Sequence, residues 1–154
     1  MIADDKNSTY CHDDIEGVTS ITISSNQQTS RIESLDAARV VAAADSGTTF
    51  VLNAAAGKAI TLGSAAALGA GFKCRFVVGT LFATSDWVIT ATAAVMRGSV
   101  REVATGAANS TVAGTTATFE LAVDSLGDFI ELECDGTNIF INGATTQADA
   151  ITLA

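Results

Sequence analysis

The sequence predicts an all-β fold: an antiparallel β-sandwich or jelly-roll-like barrel, preceded by an extended N-terminal arm. Three observations predict it. Short apolar runs recur at intervals of roughly ten residues. Several of them alternate apolar and polar residues with the period of a strand. Gly, Ser and Asn punctuate them, and the only competing helical pattern of any length is short.

The elements follow in chain order. Residues 1–35 read as the arm, because Asp4, Asp5, Asp13, Asp14, Glu16 and the polar run Ser25-Asn-Gln-Gln-Thr-Ser30 bring little apolar surface. One short alternation, Val18 to Ser24, places Ile21 and Ile23 on a common face. Residues 36–154 read as the sandwich domain. Ser34 to Ala44 has helical propensity, but Val40 and Val41 precede an Asp45-Ser46-Gly47 turn, which favours a strand at about 38–43. Thr49-Phe-Val-Leu-Asn53 and Lys58-Ala-Ile-Thr-Leu62 are strands separated by the Ala54-Ala-Ala-Gly57 turn. Ser64-Ala-Ala-Ala-Leu-Gly69 reads as one helical turn with a Ser cap and a Gly stop.

Phe72 to Val78 has period two, with Phe72, Cys74, Phe76 and Val78 inward and Lys73 and Arg75 outward. Strands follow at Asp86 to Ala91 and Val95 to Val100. Ala104 to Gly114 is small and polar and reads as a loop. Ala117 to Val123 and Asp128 to Cys134 alternate again. Asp135-Gly136 between two alternating runs predicts a hairpin into Asn138-Ile-Phe-Ile-Asn142, with positive φ at both turn positions.

Composition limits the function. Of 154 residues, 48% are apolar, chiefly Ala and Val, and 6% are aromatic. At about 25 cal/mol per Å2 of buried apolar area, a core of such small side chains is thin, which favours support from neighbouring molecules. The formal net charge of -9 argues against binding nucleic acid or an anionic membrane, and reads as solubility and repulsion between copies. Cys11, Cys74 and Cys134 are odd in number and lack CxxC spacing, so they suggest neither a disulfide framework nor zinc. Cys74 and Cys134 read as buried reduced thiols. The opening residues Met1-Ile-Ala-Asp-Asp-Lys6 lack the features of a secretory leader, and no run has the length of a membrane span. Pro is absent, which leaves every edge-strand donor available.

Candidate chemistry is sparse, and the expectation is a non-enzyme with no catalytic, cofactor or metal residues. Tyr10-Cys11-His12-Asp13-Asp14 holds the single His beside a thiol and two carboxylates. Neighbours on an extended chain point alternately, so a solvated arm is preferred over a metal or Cys–His site. Asp128, Glu131 and Glu133 invite comparison with a glycosidase pair, since residues i and i+2 lie roughly 6.5–7 Å apart along a strand. Their alternation with the buried set reads instead as an exposed polar face. The turns Ala54-Ala-Ala-Gly57-Lys58 and Gly69-Ala-Gly71 do not match a phosphate loop. Trp87, the single Trp, reads as a core or interface anchor.

Several runs carry a resemblance. Asp45-Ser-Gly-Thr-Thr-Phe-Val-Leu-Asn-Ala-Ala-Ala-Gly57 precedes Ile60-Thr-Leu62, Gly71-Phe-Lys-Cys-Arg-Phe-Val-Val78 and Trp87-Val-Ile-Thr90. Gly127-Asp-Phe-Ile-Glu-Leu-Glu-Cys-Asp-Gly-Thr-Asn138 and Ile141-Asn-Gly143 follow. In this order, across about 45–143, the chain resembles the capsid decoration (cement) proteins of tailed bacteriophages of aquatic bacteria. It departs from their pattern at Gly63, where a Pro usually follows Thr-Leu, and at Phe140, near an expected Trp.

The resemblance implies a structural virion protein on the capsid exterior, assembled in the host cytoplasm. Its partners would be the major capsid protein and copies of itself, a trimer at threefold positions being one such arrangement. It implies no nucleic acid, membrane or cofactor. The alternative is a tail-fibre or receptor-binding β module, which the lack of aromatic-rich loops and stalk repeats disfavours. A carbohydrate-binding or adhesin-like domain is disfavoured by the scarcity of aromatics and the lack of a leader.

Overall fold

The computed structural model describes residues 31–154. Within them two mixed sheets pack as a sandwich. The first half of the domain is a coil. Strands β1 (Arg31–Leu35), β3 (Thr48–Leu52) and β5 (Ala70–Val78) lie parallel in one sheet. The strands that alternate with them along the chain, β2 (Arg39–Val41), β4 (Ala59–Leu62) and β6 (Trp87–Thr90), lie parallel in the other. Each strand therefore hands the chain across the core, and its next neighbour on the same side arrives in the same direction.

The second half fills in around this coil. β7 (Met96–Glu102) and β8 (Ala108–Gly114) form the far edge of the larger sheet. The hairpin of β10 (Phe129–Asp135) and β11 (Ile139–Thr145) is inserted between β5 and β7, giving the order β1-β3-β5-β10-β11-β7-β8. β9 (Thr116–Phe119) and β12 (Ile151–Leu153) extend the smaller sheet to the order β12-β9-β6-β4-β2.

The all-β sandwich matches the expectation from sequence, but the pairing is mixed where antiparallel pairing was expected. Alternation within strands reports which face is buried, and both strand directions satisfy it equally. The strand at Arg39–Val41 and the single helical turn α1 (Ala65–Leu68) are as expected. Ser64 Oγ accepts the Ala67 amide at 3.2 Å, and Gly69 stops the turn at φ 83°.

Four expectations are corrected. Residues 108–114 form strand β8 and not a loop, because pairing with β7 supplies order that small polar residues do not announce. The strand expected over 117–123 ends at Phe119, where Glu120 leads into a turn with Ala122 at φ 72°. Arg31–Leu35, assigned to the arm, is sheet strand β1; residues 1–30, including the Tyr10–Asp14 cluster, Cys11 and the Val18–Ser24 alternation, lie outside the described residues.

The core is the fourth correction. Composition suggested small side chains, but Trp87, Phe50, Phe76, Phe119, Leu52, Ile60 and Leu62 are among the side chains buried completely. Phe50 and Phe76 stack at 5.1 Å between centroids. The large apolar residues are concentrated inside, while much of the abundant Ala stays at the surface. Trp87 is a core anchor whose indole N–H donates to the Ala54 carbonyl at 3.1 Å. Cys74 and Cys134 are buried free thiols, and burial pushes the Cys74 thiol far above its usual range.

The core is sealed beside β1 and β2 by charge. Asp45 is buried and accepts from Arg39 at 2.7 Å and Arg31 at 3.2 Å. Arg39 also reaches Glu33 at 2.6 Å and lies 5.6 Å above the Phe50 ring. Inward-pointing charge on edge strands discourages further strand pairing, a role that Pro often takes elsewhere.

Gly98 marks the tightest crossing of β7 and β11. It has φ 141°, sits at a register shift in β7, and a Cβ there would collide with the Ile141 carbonyl. Gly98→Ala is expected to destabilise the domain by about 1–3 kcal/mol, read as a lower urea midpoint. An unchanged midpoint would show that the crossing can relax.

Candidate interaction surface

The outward rows of the larger sheet form its one broad charged face among the described residues. Period-two alternation sends Lys73 and Arg75 of β5 outward together with Glu131 and Glu133 of β10. It does the same for Phe140 and Asn142 of β11, and for Arg97, Ser99 and Arg101 of β7. The registers align these into cross-strand rows. Lys73, Glu133, Phe140 and Arg97 make one row; Arg75, Glu131, Asn142 and Ser99 make the next.

Along these rows the β5 and β10 charges neutralise each other. Lys73 Nζ lies 2.8 Å from Glu133, and Arg75 lies 3.5 Å from Glu131. The hydrogen bond to Glu133, and then its charge, holds the Lys73 ammonium pKa above the usual value. The Arg75 guanidinium also stacks 4.0 Å over the Phe129 ring. Both ion pairs are exposed, so they contribute little to stability and instead set the pattern of the face. Arg97 donates to the Asn138 side chain at 2.8 Å, and neither Arg97 nor Arg101 has a carboxylate partner among the described residues.

Two depressions mark this face. One of about 360 Å3 lies over Thr48, Lys73, Arg75, Glu131 and Glu133; the other, of about 250 Å3, lies over Glu131, Glu133, Phe140 and Asn142. Both are open and shallow, unlike clefts that enclose most of a small ligand. Phe140 is 44% exposed between the acidic and basic columns.

The three carboxylates that sequence singled out do different work. Glu131 and Glu133 are tied to basic neighbours on the outer face. Asp128 is buried and accepts the Thr146 amide at 2.8 Å and the Ser125 amide at 3.0 Å, fastening the entry of β10 to the exit of β11. Glu131 and Glu133 therefore share the outer face, and Asp128 lies apart from them in the interior.

Other acids act in the same way as Asp128. Asp86 accepts the Leu121 amide at 2.7 Å, Asp124 the Phe82 amide at 2.8 Å, and Asp45 the Ala42 amide at 2.9 Å. Buried Glu102 accepts the Thr105 hydroxyl at 2.7 Å and the Asp149 amide at 3.1 Å; these two bonds hold its pKa below the usual range. Much of the acidity read as solubility is thus spent on loop amides.

The glycine-containing turns are structural. Gly57 packs against the Ser85–Asp86 backbone and donates its amide to the Ser85 carbonyl at 3.1 Å. Gly69 and Gly71 take φ 83° and 87° on the way from α1 into β5. Sequence reasoning missed the cross-strand pair of Phe140 with Arg97. Only the flanking Ile139 and Ile141, both buried, betray that Phe140 points outward.

The predicted hairpin joins β10 to β11, with a different turn. Only Gly136 takes positive φ, at 89°, while the Asp135 carboxylate accepts the Asn138 amide at 2.6 Å and the Thr137 amide at 2.7 Å. These bonds, Asn138 first, depress the Asp135 pKa. A depressed folded-state pKa contributes stability that is present above the unfolded value and lost as pH falls through the folded one. Asp135→Ala is therefore expected to lower the melting temperature at neutral pH, and the deficit should shrink as pH drops below about 4. A deficit independent of pH would show that the carboxylate charge plays no part in the turn.

Comparison with protein-family models, curated proteins and solved structures finds no match to this chain.

Proposed function

We propose that this chain is a structural virion protein that decorates and stabilises the outer surface of a tailed-phage capsid, with no bond-breaking chemistry of its own. The observation that carries the reading is where the resemblance falls. The runs in which the chain resembles decoration proteins form the framework itself: β3, β4, β5, β6 and the β10–β11 hairpin. Their inward residues build the core, and their turns carry the amide-accepting Asp135 and Asp128.

A protein that works by fitting against a shell needs a stiff body and repeated weak contacts. The sandwich supplies stiffness through its stacked aromatic centre and carboxylate fastenings. Arrayed copies make individually weak contacts effective, because each bound site raises the local concentration for the next. The expected partners are the major capsid protein and other copies of this chain, with residues 1–30 serving as the arm that runs onto the shell.

Gold-labelled antibody against the chain, applied to particles of the phage that encodes it, should mark heads. Label confined to tails would overturn the reading in favour of a fibre or receptor-binding module. Deleting residues 1–30 should leave the folded domain, judged by near-ultraviolet circular dichroism, yet abolish co-sedimentation with head shells. Undiminished co-sedimentation would overturn the role given to the arm.

A further inference from the structure

The outer face of the larger sheet carries a charge pattern that one copy leaves incomplete. Glu131 and Glu133 form an acidic column on β10; Arg97 and Arg101 form a basic column on β7; β11, with Phe140 and Asn142, runs between them. Adjacent strands are about 4.8 Å apart, so the columns stand about 10 Å apart within a copy. Within one copy Arg97 and Glu133 are turned to other partners: the guanidinium donates to Asn138, and Glu133 accepts from Lys73.

We propose that this face is a twofold self-association surface, with a second copy docked face to face and the axis running along β11. Rotation about such an axis keeps each row at its height and exchanges the two sides. The acidic column of one copy then faces the basic column of the other. Glu133 and Arg97 share a row through Phe140, so two Glu133–Arg97 contacts form, one on each side of a Phe140–Phe140 centre.

Packed sheets stand about 10 Å apart, a gap that a Glu and an Arg side chain bridge together. Lys73 bonds only one Glu133 oxygen, which leaves the other to accept from the incoming guanidinium. Such a contact is isologous, as twofold interfaces are.

The strongly acidic chain favours this face over others. Copies carrying -9 each repel, but here four basic side chains, Lys73, Arg75, Arg97 and Arg101, stand against three acidic ones, Glu131, Glu133 and Asp135. With the axis on β11, five strands of each copy overlap, β5 to β8 in sheet order, and at about five residues each they offer roughly 400 Å2 per copy, the size of a weak, transient contact. The resulting dimer is weak and sensitive to salt. The inference stands apart from the capsid reading, since it concerns the protein alone in solution.

The test is sedimentation velocity on the full chain from about 1 to 200 µM, a range that brackets micromolar dissociation. The wild type should pass from monomer to dimer, and raising salt to about 0.5 M should weaken the dimer. Glu133→Lys and Arg97→Glu should each weaken dimerisation at least about tenfold, since each places like charges opposite one another.

Mixing the two variants should restore a heterodimer. On one side the lysine introduced in the first variant meets the glutamate introduced in the second. On the other side the unchanged Arg97 of the first meets the unchanged Glu133 of the second. Phe140→Ser should weaken the dimer without altering its charge pattern. A wild type that stays monomeric or forms a trimer overturns the proposal. So does a salt-insensitive dimer, or a mixture of folded charge variants that fails to associate. If a charge variant does not fold, the salt series and Phe140→Ser decide.

Discussion

The antiparallel pairing of β5 with β10 is the contact on which the rest of the structure depends. It joins the coil of residues 31–90 to the strands that follow, and its register sets both faces of the sheet at once. With Phe76 opposite Ile130 and Cys74 opposite Leu132, the inward row meets the core. With Lys73 opposite Glu133 and Arg75 opposite Glu131, the outward row neutralises itself. A slip of one residue would turn Phe and Leu to solvent and charge to the interior, so the burial pattern alone excludes it.

Around that pairing, polar fastening takes over where apolar burial stops. The loops that cross between sheets are held by single carboxylates accepting backbone amides, as Asp86, Asp124 and Asp128 do. An ionised acceptor makes a stronger hydrogen bond than a neutral one, and the amides it satisfies would otherwise be costly to bury. Near β1 and β2 the same logic yields the Arg31–Asp45–Arg39–Glu33 cluster, which closes the interior without adding apolar surface.

What was legible in the sequence is what depends on near neighbours. Alternation in Phe72 to Val78 and Asp128 to Cys134, the Ser64 cap and the Asp135-Gly136 hairpin are all local patterns, and each appears where expected. Strand direction was illegible, because β1, β3 and β5 become neighbours only after the chain has crossed the core between them. β8 and β12 were missed for a related reason: an edge strand of small and polar residues, or one only three residues long, takes its conformation from the strand beside it. Of the outer face of the larger sheet, the Glu131 and Glu133 column was readable as exposed. Its opposition to Arg97 and Arg101 was not, since β7 and β11 are distant in sequence and parallel in space.

The place of β10 also dictates when the larger sheet can be finished. β5 is complete at Val78, but its far side waits for Phe129–Asp135, and β7 then waits for β11. During synthesis the growing polypeptide therefore presents a bare β5 edge until some fifty further residues have left the ribosome. Closure by such distant segments is slow compared with hairpin formation. The late hairpin acts as a keystone, and the interval before it arrives is the protein's period of greatest exposure to mispairing with other nascent chains.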